Sequence, residues 1–185
     1  VHQPPVIALQ IPTAAAPYRE AGGAPPFRER LDEVLRQARR SGEGFAIAIL
    51  DLDRAGEPAS GRGVSDDLSC GVLRRLRETV RECDVAARIA GASFGVLLVG
   101  VYDEAGTATA LRRIARAFTT PLPLADTSLV GVSVGGCLWT PGVKDADTLV
   151  CLARQALARA KVAGGGRCRT SVAVPGLDAD SASAP

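Results

Sequence analysis

The residues of this chain best suited to chemistry fall in three places. Arg81 and Asp84 stand three apart in RECD, Asp51 and Asp53 stand two apart in DLD, and Lys161 closes the run ARAK. A guanidinium fork donates in pairs to the O6/N7 edge of guanine or to phosphate, and a carboxylate accepts from the guanine N1–H and N2 amino edge. An Arg and an Asp three apart at a helix end therefore present donor and acceptor together. The ordinary alternative for that spacing is a local ion pair. Asp51 and Asp53 share side-chain parity on a strand, so both point to one face near its end. Lys161 ends a helix, where the dipole favours a cation whether or not a ligand is involved.

These groups need elements to position them. Phe27, Leu31, Val34, Leu35 and Ala38 recur at helical spacing up to Ser41-Gly42, and FAIAILDL reads as a strand over 45–52 ending in the two aspartates. Leu68, Val72, Leu73, Leu76 and Val80 form one stripe of a helix over 66–83. VAARI and SFGVLLVG, parted by Ala90-Gly91-Ala92, read as a β-hairpin. A helix over 106–118, a strand over 128–139, a helix over 145–161 and, after GGG, an edge strand over 168–174 complete the order. The expected class is α/β (α+β), a two-layer sandwich whose mainly antiparallel sheet is built on a βαββαβ nucleus and flanked by helices.

Composition narrows the function classes. The chain has 185 residues, 46% hydrophobic, with 12 prolines and 20 glycines, which suits one core of ~100–150 residues with looser ends. Residues 1–26 read as a flexible N-terminal linker, 27–175 as the folded domain and 176–185 as a flexible tail. The chain opens without Met, so a neighbouring or partner signalling domain is expected. A formal charge of +2 is too small an excess to argue for a nucleic-acid partner. Five scattered cysteines with no CxxC pair, and His2 as the one imidazole, favour reduced, mostly buried thiols over a disulfide framework or zinc site. No apolar run reaches the ~18 residues that span a bilayer. A soluble, cytoplasmic domain without direct membrane insertion is expected.

The ordered features together resemble the GGDEF domain of diguanylate cyclases: strand-end DLD, then RxxD, five residues, a hairpin turn, a later SVG strand and a closing ARxAK helix. The resemblance covers about residues 27–175. It implies condensation of two GTP molecules into cyclic di-GMP by a dimer, at a signature Gly-Gly-Asp/Glu-Glu-Phe. Here that place reads Ala90-Gly91-Ala92-Ser93-Phe94, keeping the second Gly and the Phe. By the resemblance, Asp51 matches the strand carboxylate that shares divalent ions with the third signature residue. Ala92 cannot ligate Mg2+, and a hard cation prefers several oxygen ligands. Asp53 and Asp66 fall at further positions of the nucleotide site, Asp66 where the family often binds guanine, and Lys161 matches its phosphate-binding lysine. Ala55-Gly56 and EPASGRG replace its Phe-Lys and Asn-Asp residues, and REAGGAPPF replaces its opening motif.

RxxD at this register is the family's inhibitory site for product. The resemblance implies Arg81 and Asp84 as primary contacts to cyclic di-GMP, with Arg112 or Arg113 in ALRRIA completing the pocket, Arg113 in the better register. The expectation is a catalytically inactive domain, with no catalytic residue, cofactor, metal site or catalytic Mg2+. It would act as a cyclic di-GMP receptor in signal transduction, in a homodimer bridged by intercalated ligand. The alternatives are a non-binding structural or protein-interaction module and a GTP-binding regulatory domain without turnover.

Overall fold

A computed structural model of the chain describes residues 27–54, 65–120, 122, 129–143 and 145–172. The linker at 1–26, the altered loop after the DLD strand and the tail at 176–185 lie outside the described residues.

The elements run α1 (Phe27–Ser41), β1 (Phe45–Arg54), α2 (Asp66–Thr79), β2 (Val85–Ala90), β3 (Ser93–Val99), α3 (Glu104–Ala117), β4 (Leu129–Leu138), α4 (Ala146–Val162) and β5 (Cys168–Val172). The sheet order is β2-β3-β1-β4-β5. Three pairings are antiparallel, and β4–β5 is parallel. This is the expected mixed fold with a mainly antiparallel sheet flanked by helices.

Helices cover both faces of that sheet, so three layers replace the two expected. The reason lies in β1, where every residue from Phe45 to Leu50 is buried. A strand that is apolar at both parities needs cover on both sides. Phe45, Ile47 and Ile49 pack with α1 and α4, while Ala46, Ala48 and Leu50 pack with α2 and α3. Asp51 and Asp53 continue the first of these parities, so their carboxylates emerge on the α1–α4 side.

Two boundaries bear on the site. β1 extends through Arg54, placing both aspartates inside the strand rather than at its exit. α2 ends at Thr79 instead of reaching Cys83, because Val80 turns extended at φ −92° and ψ 169°. Arg81–Asp84 is thus a turn between α2 and β2. The other elements match the expected segments within two residues at the described ends. The thiols depart from expectation: all five are free, but Cys70 and Cys83 are exposed and only Cys137 is fully buried. Cys70 lies on the outer face of α2, and Cys83 lies in the turn that the early helix end frees.

Candidate functional site

Two clusters occupy opposite ends of the sheet. One surrounds Asp51, which is paired in register with Ser93 at the start of β3. The other surrounds Asp84, whose Oδ1 accepts from the Val99 backbone N–H at the end of β3, at 3.0 Å. Val99 lies six steps along the strand from Ser93, or about 20 Å at 3.3–3.4 Å per residue.

At the first end, partners from three elements consume the carboxylates. Lys161 of α4 donates from Nζ to Asp51 Oδ2 at 2.5 Å, and the Ser93 hydroxyl donates to Asp51 Oδ1. Asp51 and Lys161 are 17% and 29% exposed, so solvent only partly screens the pair. Asp53 accepts from Ser133 Oγ of β4 at 2.9 Å and from the Gly166 N–H at 2.8 Å. The chain reaches Gly166 through Gly164, Gly165 and Gly166 at φ 106°, 69° and 59°, a left-handed run that glycine tolerates without strain.

The signature turn carries no acid. Gly91 takes φ 53°, and Ala92 packs against the apolar cluster beneath α2 and α3. Phe94 is fully buried in that cluster. Ala90, expected in the turn, is the last residue of β2. Arg88 donates from Nε to the Gly91 carbonyl at 3.1 Å and lies 3.7 Å from Asp66 at the start of α2. Asp66 is therefore not brought to Asp51 but is faced by a guanidinium.

These residues do not fit a divalent ion. Ala92 offers no ligand, and Asp51 already holds an ammonium and a hydroxyl on its two oxygens. Among the described residues no group of three His, Cys, Asp or Glu side chains is placed to hold a metal.

At the second end, the Asp84 carboxylate is held by backbone. Its Oδ2 accepts from the Arg81 N–H at 2.9 Å while Oδ1 takes Val99, and the Asp84 N–H donates to the Arg81 carbonyl at 3.0 Å. The loop is closed by main chain, so the local side-chain ion pair is not what forms here. Arg81 is exposed, and among the described residues its guanidinium has no partner. Oδ1 also takes the weak Cys83 thiol donor at 3.9 Å, whereas Oδ2 keeps a lone pair for a further donor. Burial, then the neighbouring Asp84 carboxylate, raises the Cys83 thiol above its ordinary pKa.

Arg112 and Arg113 are exposed on α3, with Arg112 donating to Thr109 Oγ1 at 3.0 Å. α3 packs over β4 and β5 as well as beside α2, whereas the Arg81–Asp84 turn leads into β2 at the far edge. Within one copy no described contact joins the two arginines to that turn. Neither residue type nor spacing marks Ser93, Ser133, Arg88 or Gly166 as partners of these groups. Only the GGG run before β5 signalled a special backbone there.

A profile for the family "Diguanylate cyclase, GGDEF domain" matches residues 26–167. The chain is 34% identical over 141 residues to the uncharacterized protein y4lL of Sinorhizobium fredii, covering 75% of this chain and 17% of that protein. It is 30% identical over 140 residues to diguanylate cyclase TpbB of Pseudomonas aeruginosa, covering 70% of this chain and 32% of that one. The chain thus spans about a third or less of the length of these relatives. Its fold is similar to the solved GGDEF domain of TpbB, with TM-score 0.66 and 28% identity over 78% of this chain and 86% of that one.

Proposed function

The chain belongs to the GGDEF domain family of diguanylate cyclases, and from that premise we propose that this domain does not make cyclic di-GMP but binds it through Arg81 and Asp84. The observation that carries the reading is the asymmetry between the two ends of the sheet. At Asp51 every acidic group is satisfied internally, whereas at Asp84 the carboxylate is fixed by two backbone N–H groups beside a guanidinium that is exposed and unengaged.

Preorganisation favours binding because the ligand does not have to order the acceptor. Arg81 supplies the donor fork for guanine O6/N7 or a phosphate, and Asp84 accepts from the N1–H and N2 edge. Arg113, with Arg112 beside it, completes the pocket from a second copy in a homodimer bridged by intercalated ligand. Binding then acts on a neighbouring domain, or on dimer geometry, by favouring one arrangement over another. The domain works in the cytoplasm as a receptor, with residues 27–175 as its folded unit. Among the described residues no helix is long and apolar enough to cross a membrane.

Calorimetric titration of the 185-residue chain with cyclic di-GMP is the direct test. Saturable binding is expected, with loss of about tenfold or more in Arg81→Ala, as for a charge-assisted hydrogen bond. Absence of heat with the intact chain at several temperatures overturns the binding claim. Formation of cyclic di-GMP from GTP with Mg2+ or Mn2+ overturns the claim of inactivity.

A further inference from the structure

The outer side of α2 carries a cavity of about 220 Å³ lined by Gly71, Arg74, Arg75, Glu78 and Leu122. Arg75 is tied down, donating from Nη1 to the Thr120 carbonyl with its guanidinium 5.8 Å from the Phe118 ring centroid. It joins α2 to the segment after α3 and gives the cavity a fixed side.

Arg74 and Glu78 differ from it. Both are exposed, and among the described residues they form no ion pair although they stand at i,i+4. Their order, Arg before Glu, is the weaker one against the helix dipole. They present a guanidinium fork and a carboxylate side by side, the same donor and acceptor set as Arg81 and Asp84. Glycine in a helix interior is unfavourable relative to alanine, yet Gly71 lies inside α2 and lines the cavity.

Glu78 lies in the last turn of α2, three residues before Arg81, so the cavity adjoins the helix end from which the Arg81–Asp84 turn leaves. The volume is below the ~300–1,000 Å³ typical of sites enclosing a whole drug-sized ligand, and so suits one base rather than a dinucleotide. Cyclic di-GMP carries two guanines on one sugar–phosphate ring. We infer that this cavity is a second guanine subsite, in which Arg74 donates to O6/N7 and Glu78 accepts from the N1–H and N2 edge while the other base occupies Arg81 and Asp84. The inference rests on the receptor reading above.

The experiment titrates cyclic di-GMP into the full chain and into Arg74→Ala, Glu78→Gln, Arg77→Ala and Arg81→Ala, with thermal melts to verify folding of these exposed-site variants. Arg74→Ala and Glu78→Gln are each expected to weaken binding about tenfold. Arg77→Ala, an exposed arginine on the same helix that does not line the cavity, is expected to change it less than about twofold. Wild-type affinity in Arg74→Ala and Glu78→Gln alongside loss in Arg81→Ala overturns the subsite and leaves the receptor reading standing. An equal loss in Arg77→Ala overturns it in favour of general electrostatic attraction. No binding by the unaltered chain overturns both.

Discussion

At the scale of single residues, Lys161 and Arg81 illustrate opposite fates of a cation. Lys161 is consumed by Asp51, to which it donates at 2.5 Å in a partly buried setting. Removing it strands a carboxylate that Ser93 alone then satisfies, and breaking such a pair costs more than the pair contributes. Lys161→Met is expected to destabilise the fold by ~1–3 kcal/mol, measured by urea denaturation; a change below ~0.5 kcal/mol would show that water replaces the ammonium. Arg81 makes no described side-chain contact, so Arg81→Ala is expected to leave stability within ~0.5 kcal/mol. Asp84→Ala strips the acceptor from the Arg81 and Val99 N–H groups and is expected to cost ~1–3 kcal/mol in the same experiment. Lost binding in Asp84→Ala therefore mixes folding with recognition, whereas in Arg81→Ala it reports recognition.

At the scale of elements, α4 determines where Lys161 can reach, and glycine determines where α4 can lie. A Cβ on Gly135 of β4 would stand 2.2 Å from the Ala153 carbonyl oxygen and from the Leu157 backbone nitrogen. Both obstacles are main chain, so the helix itself would have to lift. Gly135→Ala is expected to cost ~1–3 kcal/mol, as overpacking does, and to lower the melting temperature by circular dichroism. That contact was invisible in the sequence, where GVSVGGCLW gives a strand and nothing more. The helices and strands were legible because Leu, Val and Phe keep periods of 3.6 and 2 along them. The end of α2 was not, since its stripe continues to Val80 while Asp84, held by Val99 from another strand, captures the Arg81 N–H. The loss at Ala92 could be read from residue type and register. The reassignment of Asp51 to Lys161 and of Asp53 to Ser133 and Gly166 could not, because those partners come from elements 80 to 113 residues away.

At the scale of the whole molecule, the question is how stability reports on conditions and ligand. Arg28 of α1 grips Asp147 of α4 with both terminal nitrogens, Nη2 to Oδ2 at 2.8 Å. That hydrogen bonding holds the Asp147 carboxyl below its ordinary pKa and the guanidinium above its own. A carboxyl depressed in the folded state contributes stability above its unfolded pKa and loses it as pH falls through the folded one. The window therefore opens near about pH 4 and extends downward. The side chains are 46% and 60% exposed, which limits the effect to about 1 kcal/mol or less and makes it sensitive to salt. Asp147→Asn is expected to melt lower than wild type at pH 7 and to converge with it below that window; parallel melting curves at all pH values would contradict the assignment. Ligand acts at pH 7 on the same equilibrium. A molecule that binds only the folded chain stabilises it by about 2.7 kcal/mol at one hundred times its dissociation constant. Cyclic di-GMP is thus expected to raise the melting temperature of the wild-type chain, to shift Arg81→Ala by about half as much or less at the same ligand concentration, and, if it bridges two copies, to act more strongly as protein concentration rises. GTP with Mg2+ should produce no comparable shift, because Lys161 and Ser93 already satisfy Asp51; a GTP shift equal to that of the dinucleotide would place the working site at the other end of β3.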